Sequence, residues 1–177
     1  FMQLPPQTHL HEAERGMQED PDAPLRFMQV GLGGQPDRDD WRIDPRVFER
    51  VLGLPGFPTV TMDLYATHEN HLVSRYVTES SDWHQGALSF LLHGESPWVN
   101  PPWALLPQAV PHLLASGASR AVVITPLLPP QPWFRRLAEH SVTAPVIIPA
   151  HPLLFTAASG VPQARDAPWG ASVAWSV

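Results

Sequence analysis

The sequence predicts an α/β fold, a Rossmann-like three-layer sandwich over residues 41–177 with a mostly parallel sheet and an antiparallel C-terminal edge. Three observations predict it. Apolar segments alternate with helical ones from "TVTMDLYA" through "PWVN" to "AVVITP", as in parallel sheets covered on both faces. The last apolar segments follow one another without helices, which indicates an antiparallel edge. The 22 prolines among 177 residues predict short elements separated by stiff loops.

Local signals mark the first helix and the first strand. Asp44 is placed to cap a helix with Pro45 at its first position, and Gly53 follows the last turn. The stretch "FPTVTMDLYA" is rich in β-branched residues and predicts a strand that ends at Asp63. The polar segment "THENHLVSRYVTESSDWHQG" predicts a long functional loop. The apolar positions of the helix share one face: Val47, Phe48, Val51 and Leu52.

The second half of the chain predicts two more helices and five more strands. The helix "ALLPQAVPHLLASGASR" has Pro107 in its first turn and Pro111 in its interior, where a proline kinks a helix. The segment "QPWFRRLAEH" predicts a second amphipathic helix. The predicted strands, in chain order, are SPWVN, AVVITP, APVIIPA, PLLFTA and ASVAWSV.

The charge pattern argues against a strongly basic nucleic-acid-binding protein, although a local arginine patch stays compatible with it. The net charge is −6, and every basic residue is an arginine. Residues 1–44 hold nine acids and four arginines, so the rest of the chain is close to neutral. Residues 1–40 lack a sustained period and are rich in Pro, Gly and acids. We expect them to form an extended acidic arm ahead of the domain.

Other compositional features limit the class of protein. The chain contains no cysteine, which excludes disulfides and thiolate metal sites. No apolar run approaches the roughly 20 residues that span a bilayer, and the N-terminus lacks the basic start and apolar core of a secretory signal. We therefore expect an intracellular protein without a membrane-spanning segment. Because the chain opens on Phe1, we expect a processed product or a piece of a polyprotein.

The stretch Asn100–Trp103, NPPW, directly follows a predicted strand. In an open parallel sheet, ligands bind beyond the carboxyl ends of the strands, and Asp63 ends a neighbouring strand. The two prolines remove backbone donors, so carbonyl oxygens project beside the side-chain oxygen of Asn100. Two such acceptors can hold an exocyclic amine, and the Trp103 ring offers a flat face to a heterocycle. The alternative is a rigid strand-to-helix turn with Trp103 in the core and Asp63 capping a helix.

Several segments together resemble the phage-type Dam family of DNA adenine methyltransferases. In that family an acidic strand end, an Ala-rich turn, an Asn, an Arg-Tyr pair and Asn-Pro-Pro-aromatic follow one another. The segments "DDWRIDPRVFERV" and "PLLPPQPWFRRL" are more similar still to the Dam-like domain in polyproteins of DIRS-type retrotransposons, and "APWGASVAWSV" is similar to the family's closing turn and strand. The resemblance covers about residues 40–177. The residues that match are Asp63, Ala66, Asn70, Arg75, Tyr76, Asn100, Pro101, Pro102 and Trp103.

The resemblance implies methyl transfer from S-adenosylmethionine to the exocyclic amine of adenine in DNA. Asn100 and the Pro101 carbonyl would hold the amine, and Trp103 would stack on the flipped base, which offsets ~1–3 kcal/mol of the extrusion cost. DNA is then the partner, and no metal is needed. The implied residues are Asp63, Ala66 and Asn70 for the cofactor, Arg75 and Tyr76 for the substrate, and Asn100, Pro101, Pro102 and Trp103 for catalysis.

A second hypothesis is a catalytically inactive, domesticated copy of this fold, a structural subunit that contacts other protein subunits through the N-terminal arm. The acidic arm favours it. So does the segment Ala87-Leu88-Ser89, where retroelement relatives have Asp-Ala-Phe. The segment "DLYATHEN" also lacks the glycine-rich cofactor loop of many methyltransferases. A ribonuclease H is disfavoured, because the sequence shows no spaced set of four carboxylates at strand ends.

The other candidate residues have a structural explanation that we favour. His68 and His71 in "HENH" are spaced as a metal pair but lack a third ligand in the sequence, so we expect no metal site. We expect solvated side chains at His9, His11, Arg135 and Arg136, and core packing at Trp133 and Phe134.

The boundary of the arm leads to a first prediction. Limited proteolysis of the isolated chain should cut within residues 1–40 before it cuts the domain, because the arm lacks periodic apolar positions with which to form a core. Mass spectrometry of the early fragments would locate the cuts. Protection of residues 1–40 equal to that of the domain would contradict the predicted arm.

Overall fold

The computed structural model of the protein describes residues 41–77, 83–157 and 170–177. The predicted arm lies outside these ranges, as do His9 and His11. The described helices are α1 (Pro45–Leu52), α2 (Trp83–Ser89), α3 (Leu106–Ala115) and α4 (Pro132–His140), with a 3-10 helix (Trp103–Leu105) directly before α3. The described strands are β1 (Trp41–Ile43), β2 (Met62–Leu64), β3 (Pro97–Val99), β4 (Val122–Pro126), β5 (Val146–Ile148), β6 (Phe155–Ala157) and β7 (Ser172–Ser176).

Five strands form one sheet in the order β2-β3-β4-β7-β5. The pairs β2–β3 and β3–β4 are parallel, while β7 runs antiparallel to both β4 and β5. Strands β1 and β6 form a separate antiparallel pair. The α/β class is therefore confirmed, but the sheet is of mixed direction. The reversed strand β7 lies inside it, where the sequence predicted an antiparallel edge, because β5 pairs with the side of β7 that faces away from β4.

The register of β2 against β3 decides which residues meet at the end of the sheet. Asp63 is paired with Trp98, and Leu64 with Val99. Because parallel strands have their carboxyl ends at the same edge, the segments that begin at Tyr65 and at Asn100 start side by side. This register places the two candidate regions next to each other.

Alternating side chains of the central strands contribute to two separate core clusters, one on each face of the sheet. On β4, Val123 belongs to the first cluster and Val122 and Ile124 to the second; on β7, Trp175 belongs to the first and Ala174 to the second. The first cluster includes buried residues of α2, α3 and α4. The second includes buried residues of α1, β1 and β6. Both faces of the sheet are thus covered.

Most predicted elements are present, with differences in extent. Helix α1 begins after Asp44, whose carboxylate accepts the Arg46 amide at 2.8 Å, and ends at Gly53 as predicted. Pro107 lies in the first turn of α3, and the helix continues through Pro111. Strand β2 is only three residues long, shorter than the predicted segment. None of the described helices has the length and apolar character needed to cross a membrane.

Helix α2 is a correction, because the polar stretch that contains its first residues predicted an irregular loop. Its Ala87 is 1% exposed and belongs to the first core cluster. Tertiary packing of this small residue stabilises a helix that the local sequence does not predict. Because Ala87 is buried, an aspartate at this position, which is where the sequence analysis placed the Asp-Ala-Phe of the retroelement relatives, would lose its contact with water.

At the opposite end of the sheet, the carbonyl of Gly56 accepts two side-chain hydrogen bonds. Arg120 Nη2 donates to it at 2.6 Å and Ser176 Oγ at 2.9 Å. Arg120 also donates to Ser176 Oγ at 2.8 Å. Gly56 has a φ of +84°, and an added Cβ would lie 2.2 Å from Thr143 Cγ2. The position therefore requires glycine both for its backbone and for its space.

This packing predicts a difference between two glycine substitutions. Gly56→Ala should destabilise the protein by ~1–2 kcal/mol for the left-handed backbone and by a further ~1–3 kcal/mol for the collision. Gly94→Ala is the matched control, because its φ is +75° and nothing lies within 4 Å of an added Cβ. Urea unfolding would measure both.

Thr143→Ser removes only the methyl group with which the new Cβ collides. In the Thr143→Ser background, Gly56→Ala should therefore cost only the ~1–2 kcal/mol that is due to the left-handed backbone. Equal losses for the two glycine variants would show that the collision has no weight.

Candidate functional site

A small pocket lies where the carboxyl ends of β2 and β3 meet. Its walls come from β1, from β2 and the loop after it, and from the end of β3. The residues that line it are Arg42, Ile43, Asp63, Tyr65, Ala66, Asn70, Leu72, Trp98 and Asn100. Four residues singled out from the sequence are thus brought together: Asp63, Ala66, Asn70 and Asn100. The pocket joins the implied cofactor residues to the first residue of the NPPW stretch.

Asp63 organises the loop that closes the pocket. Its amide donates to the Arg75 carbonyl at 2.9 Å, and its carbonyl accepts the Val77 amide at 2.9 Å. Its side-chain Oδ2 accepts the Leu72 amide, also at 2.9 Å. One residue therefore fixes both the middle and the end of the loop. This contact differs from the helix cap that was the structural alternative for Asp63.

The Asp63 carboxyl is 4% exposed, and this burial has an electrostatic consequence. Burial raises its pKa from the ordinary 3.8 to about 7, because the charged form loses its hydration. The Leu72 amide and the charge of Arg42 act in the opposite direction and only partly offset the burial. Near neutral pH the pocket therefore holds a carboxyl group that gains or loses a proton with small changes in its surroundings.

Tyr65 and Ala66 make the turn that leaves β2. Tyr65 has a φ of +81°, a left-handed conformation that is rare for a bulky residue. Both residues are buried, at 4% and 3% exposure, and burial raises the pKa of the Tyr65 hydroxyl. A strained backbone beside a pocket marks a place that packing holds against local preference. No local feature of the sequence predicts this left-handed conformation.

Asn70 is buried and shapes the loop from within. Its Oδ1 accepts the Thr67 amide at 2.6 Å, and the His71 amide donates to the Thr67 carbonyl at 3.3 Å. These bonds close a turn that brings Asn70 and Leu72 over the pocket. Asn70 is therefore both a wall of the pocket and a support of the turn that covers it.

The NPPW stretch both lines the pocket and begins a helix. Asn100 is half-buried and lines the pocket, while Pro101 and Pro102 are buried. The Pro102 carbonyl accepts the Leu105 amide at 2.8 Å, which starts the 3-10 helix before α3. Trp103 is not among the described residues that line the pocket. Its ring packs edge-to-face against Phe155, with centroids 6.1 Å apart, so it contributes to the core at the pocket's margin.

The predicted substrate residues Arg75 and Tyr76 lie outside the pocket, on the strand-like return of the loop beside β2. Arg75 forms an ion pair with Glu95 at 2.5 Å, and the Thr61 hydroxyl and Arg75 lower the pKa of Glu95. The Tyr76 ring stacks on His71, with centroids 4.3 Å apart, and its hydroxyl lies 3.1 Å from His68 Nδ1. The Arg75–Glu95 pair lies towards the amino end of β2, where Glu95 also accepts the Thr61 hydroxyl, while the His71 and Tyr76 rings lie on the loop that carries the pocket residues Asn70 and Leu72.

Four candidate residues on α4 lie in the core or on the exposed surface of the helix, away from the pocket. Trp133 and Phe134 pack in or against the first core cluster, as predicted. Arg135 and Arg136 are exposed on α4, as predicted, and Arg135 pairs with Glu139. The described part of the chain contains no group of three or more His, Asp or Glu side chains placed to hold a metal ion.

Arg42 is the charged residue among the pocket residues that the sequence analysis did not single out. It lies on β1, which reaches the pocket only because Ile43 pairs with Phe155, more than a hundred residues later. Its Nε is buried and has no hydrogen-bond partner among the described residues. The one signal in the sequence was the position of "DDWRIDP" at the start of the resembling region, and it gave Arg42 no role.

The pocket is nearly closed in this conformation. Its free volume is about 10 Å³, which is room for one water molecule. A nucleoside needs several times more, so Leu72 and the turn that carries Asn70 would have to move before one could enter.

Comparisons with protein-family models, with curated proteins and with solved structures find no match for this chain.

The raised pKa of Asp63 predicts a pH-dependent stability. Between pH 4 and 7 the unfolded chain has lost this proton while the folded protein keeps it, so stability falls as pH rises towards 7. From pH 5 to pH 8 the loss should be roughly 2–3 kcal/mol, at about 1.4 kcal/mol per pKa unit. Asp63→Asn keeps an oxygen for the Leu72 amide and removes the titration. Its unfolding free energy relative to the unmutated protein should therefore rise by that amount.

Asp44→Asn is the matched control for this measurement. The hydrogen bond from the Arg46 side chain lowers the pKa of Asp44, so this carboxylate is ionised in both states from pH 5 to 8. Its substitution should change stability by a constant amount over this range. A constant difference for Asp63→Asn as well would show that Asp63 is ionised when buried.

Proposed function

We propose that this protein is a Dam-like methyltransferase that transfers a methyl group from S-adenosylmethionine to the exocyclic amine of adenine in DNA. One observation carries the proposal. Asp63, Ala66, Asn70 and Asn100 all match the resembling family, and they line one pocket at the carboxyl ends of adjacent parallel strands. Parallel pairing of β2 and β3 brings Asp63 and Asn100 together, and the loop after β2 adds Ala66 and Asn70 to the same pocket.

The arrangement of the sheet supports the same proposal at the level of the fold. Helices α2, α3 and α4 cover one face, while α1 and the β1–β6 pair cover the other. We infer a Rossmann-like sandwich in which the reversed strand β7 is the closing strand of the resembling family. The ligand-binding edge of such a sheet is the edge where the pocket lies.

The polar groups of the pocket are chemically suited to S-adenosylmethionine. The closed pocket is too small to hold this cofactor. Arg42 offers a buried donor, Nε, that has no partner among the described residues, and Asp63 and Asn70 offer acceptors on the cofactor side. Loop movement at Leu72 and Asn70 would have to open the pocket. When bound, the cofactor supplies a methyl group activated by a positively charged sulfur.

The residues of this chain have defined tasks in such a reaction. Asn100 and the Pro101 carbonyl would accept hydrogen bonds from the adenine amine and hold its nitrogen in line for attack. No proline amide competes for these acceptors. The aromatic surface of His71 and Tyr76, 4.3 Å apart in a stack, lies beside the pocket and would contact the DNA around the extruded base.

A second candidate function is a catalytically inactive, structural subunit of a larger complex. The observation that favours it is the closed pocket, whose free volume is about 10 Å³. The Trp103 ring also packs against Phe155 in the core, a position that stabilises the fold without a ligand. In this case the acidic arm would contact the partner subunits.

The catalytic role predicts the effect of Asn100→Ala. Loss of one of two acceptors that align the amine should lower the rate of methyl transfer by ~100-fold or more, while cofactor binding changes little. Transfer of a labelled methyl group to adenine-containing DNA would measure the rate, and calorimetry the binding of S-adenosylmethionine. Gln108→Ala, which removes an exposed amide from α3, is the matched control and should leave both unchanged.

The outcomes separate the two functions. If the unmutated protein neither binds S-adenosylmethionine nor methylates DNA, the enzyme is excluded and the structural role stands. If Asn100→Ala lowers thermal stability but leaves methyl transfer unchanged, the NPPW stretch is a turn and the catalytic assignment fails.

A further inference from the structure

Arg42 and Asp63 place a guanidinium group and a carboxyl group on the wall of one pocket. Both residues line the pocket, yet no ion pair joins them among the described residues. The Arg42 Nε is shielded from solvent and lacks a hydrogen-bond partner in the described part of the chain. A buried donor without a partner is costly, and a guanidinium makes its strongest hydrogen bonds, often in pairs, to carboxylates and phosphates. The pocket therefore has an unfilled requirement for an acceptor beside Arg42.

The second charged group decides which anion is suitable. A phosphate would bring two negative charges next to Asp63, and the repulsion would oppose its binding. An α-amino acid group carries a carboxylate and an ammonium a few ångströms apart, so it matches an arginine and an aspartate that face one pocket. We propose that Arg42 is a ligand-binding residue, and that its guanidinium binds the carboxylate of a zwitterionic α-amino acid group whose ammonium lies against Asp63.

This inference deepens the proposed function and rests on it, since the amino acid group would be the methionine part of S-adenosylmethionine. It assigns a role to a residue for which the resemblance gives none. It also assigns a direction to the ligand. The amino acid end lies towards β1 and Asp63, and the sulfur therefore lies towards Asn100, at the end of β3.

Two ligands that differ in the amino acid group alone would test the assignment by calorimetry. S-adenosylhomocysteine retains the group, whereas 5′-methylthioadenosine lacks it. Arg42→Gln should weaken the binding of S-adenosylhomocysteine by ~10- to 100-fold, the loss of a charge-assisted pair, and leave 5′-methylthioadenosine unchanged. Arg42→Lys keeps the positive charge but loses the paired donors of the planar guanidinium, so it should weaken the binding of S-adenosylhomocysteine by an intermediate factor. Arg136→Gln, an exposed arginine on α4, is the charge-matched control and should change neither.

Each outcome is informative. If S-adenosylhomocysteine binds the unmutated protein and binds Arg42→Gln with the same affinity, the role of Arg42 is refuted while the proposed function survives. If Arg42→Gln weakens both ligands equally, Arg42 shapes the pocket rather than binding a carboxylate, and the inference is again refuted. If neither ligand binds the unmutated protein, the inference and the proposed function both fail. Thermal melting of each variant would show that Arg42→Gln and Arg42→Lys remain folded.

Discussion

Three hydrogen bonds to Asp63 hold the loop from Ala66 to Val77 against the sheet, and the pocket depends on them. Two are made by the Asp63 backbone with Arg75 and Val77, and the third by its carboxyl with the Leu72 amide. The backbone bonds add the return of the loop to the edge of β2, so this edge is not left open. The side-chain bond draws the middle of the loop inwards. Together with the Thr67 bonds to Asn70 and His71, it holds Leu72 and Asn70 over the pocket.

This arrangement has a cost that a purely structural loop need not bear. A serine or an asparagine could accept the Leu72 amide without the hydration energy lost by a buried carboxyl. The same pocket contains the left-handed Tyr65 and the Nε of Arg42, which has no hydrogen-bond partner in the part of the chain that the structure describes. Departures from local preference that gather at one place are typical of functional sites, because elsewhere such departures would only lower stability. This grouping favours a site that binds a ligand or did so in an ancestor.

The sequence predicted those features that depend on near neighbours along the chain. Helix α1 was bounded by the Asp44 cap and Gly53, and β4 and β7 by short apolar runs. The convergence of Asp63 and Asn100 also followed, because both end parallel strands. What the sequence could not give were pairings between distant segments. The β1–β6 pair and the inner position of β7 depend on such pairings, and Arg42 reaches the pocket through one of them. Helix α2 was missed for a related reason, since burial of Ala87 against the core stabilises it.

The closed pocket weighs less against an enzyme than its small volume suggests. The bonds that would break on opening are Leu72 to Asp63, Thr67 to Asn70 and His71 to Thr67. At a net ~0.5–1.5 kcal/mol each, and with water replacing part of what is lost, opening would cost a few kcal/mol. If only the open state binds a ligand, the apparent affinity is reduced in proportion to the fraction of molecules that are open. For an opening cost of a few kcal/mol, the reduction is about 10- to 1,000-fold. Arg42 and Asp63 would gain partners from a zwitterionic ligand, and these gains offset the opening cost. Closure of the pocket therefore sets the free energy that ligand binding must supply. The contacts that a ligand makes with Arg42 and Asp63 decide whether binding is strong enough to supply it.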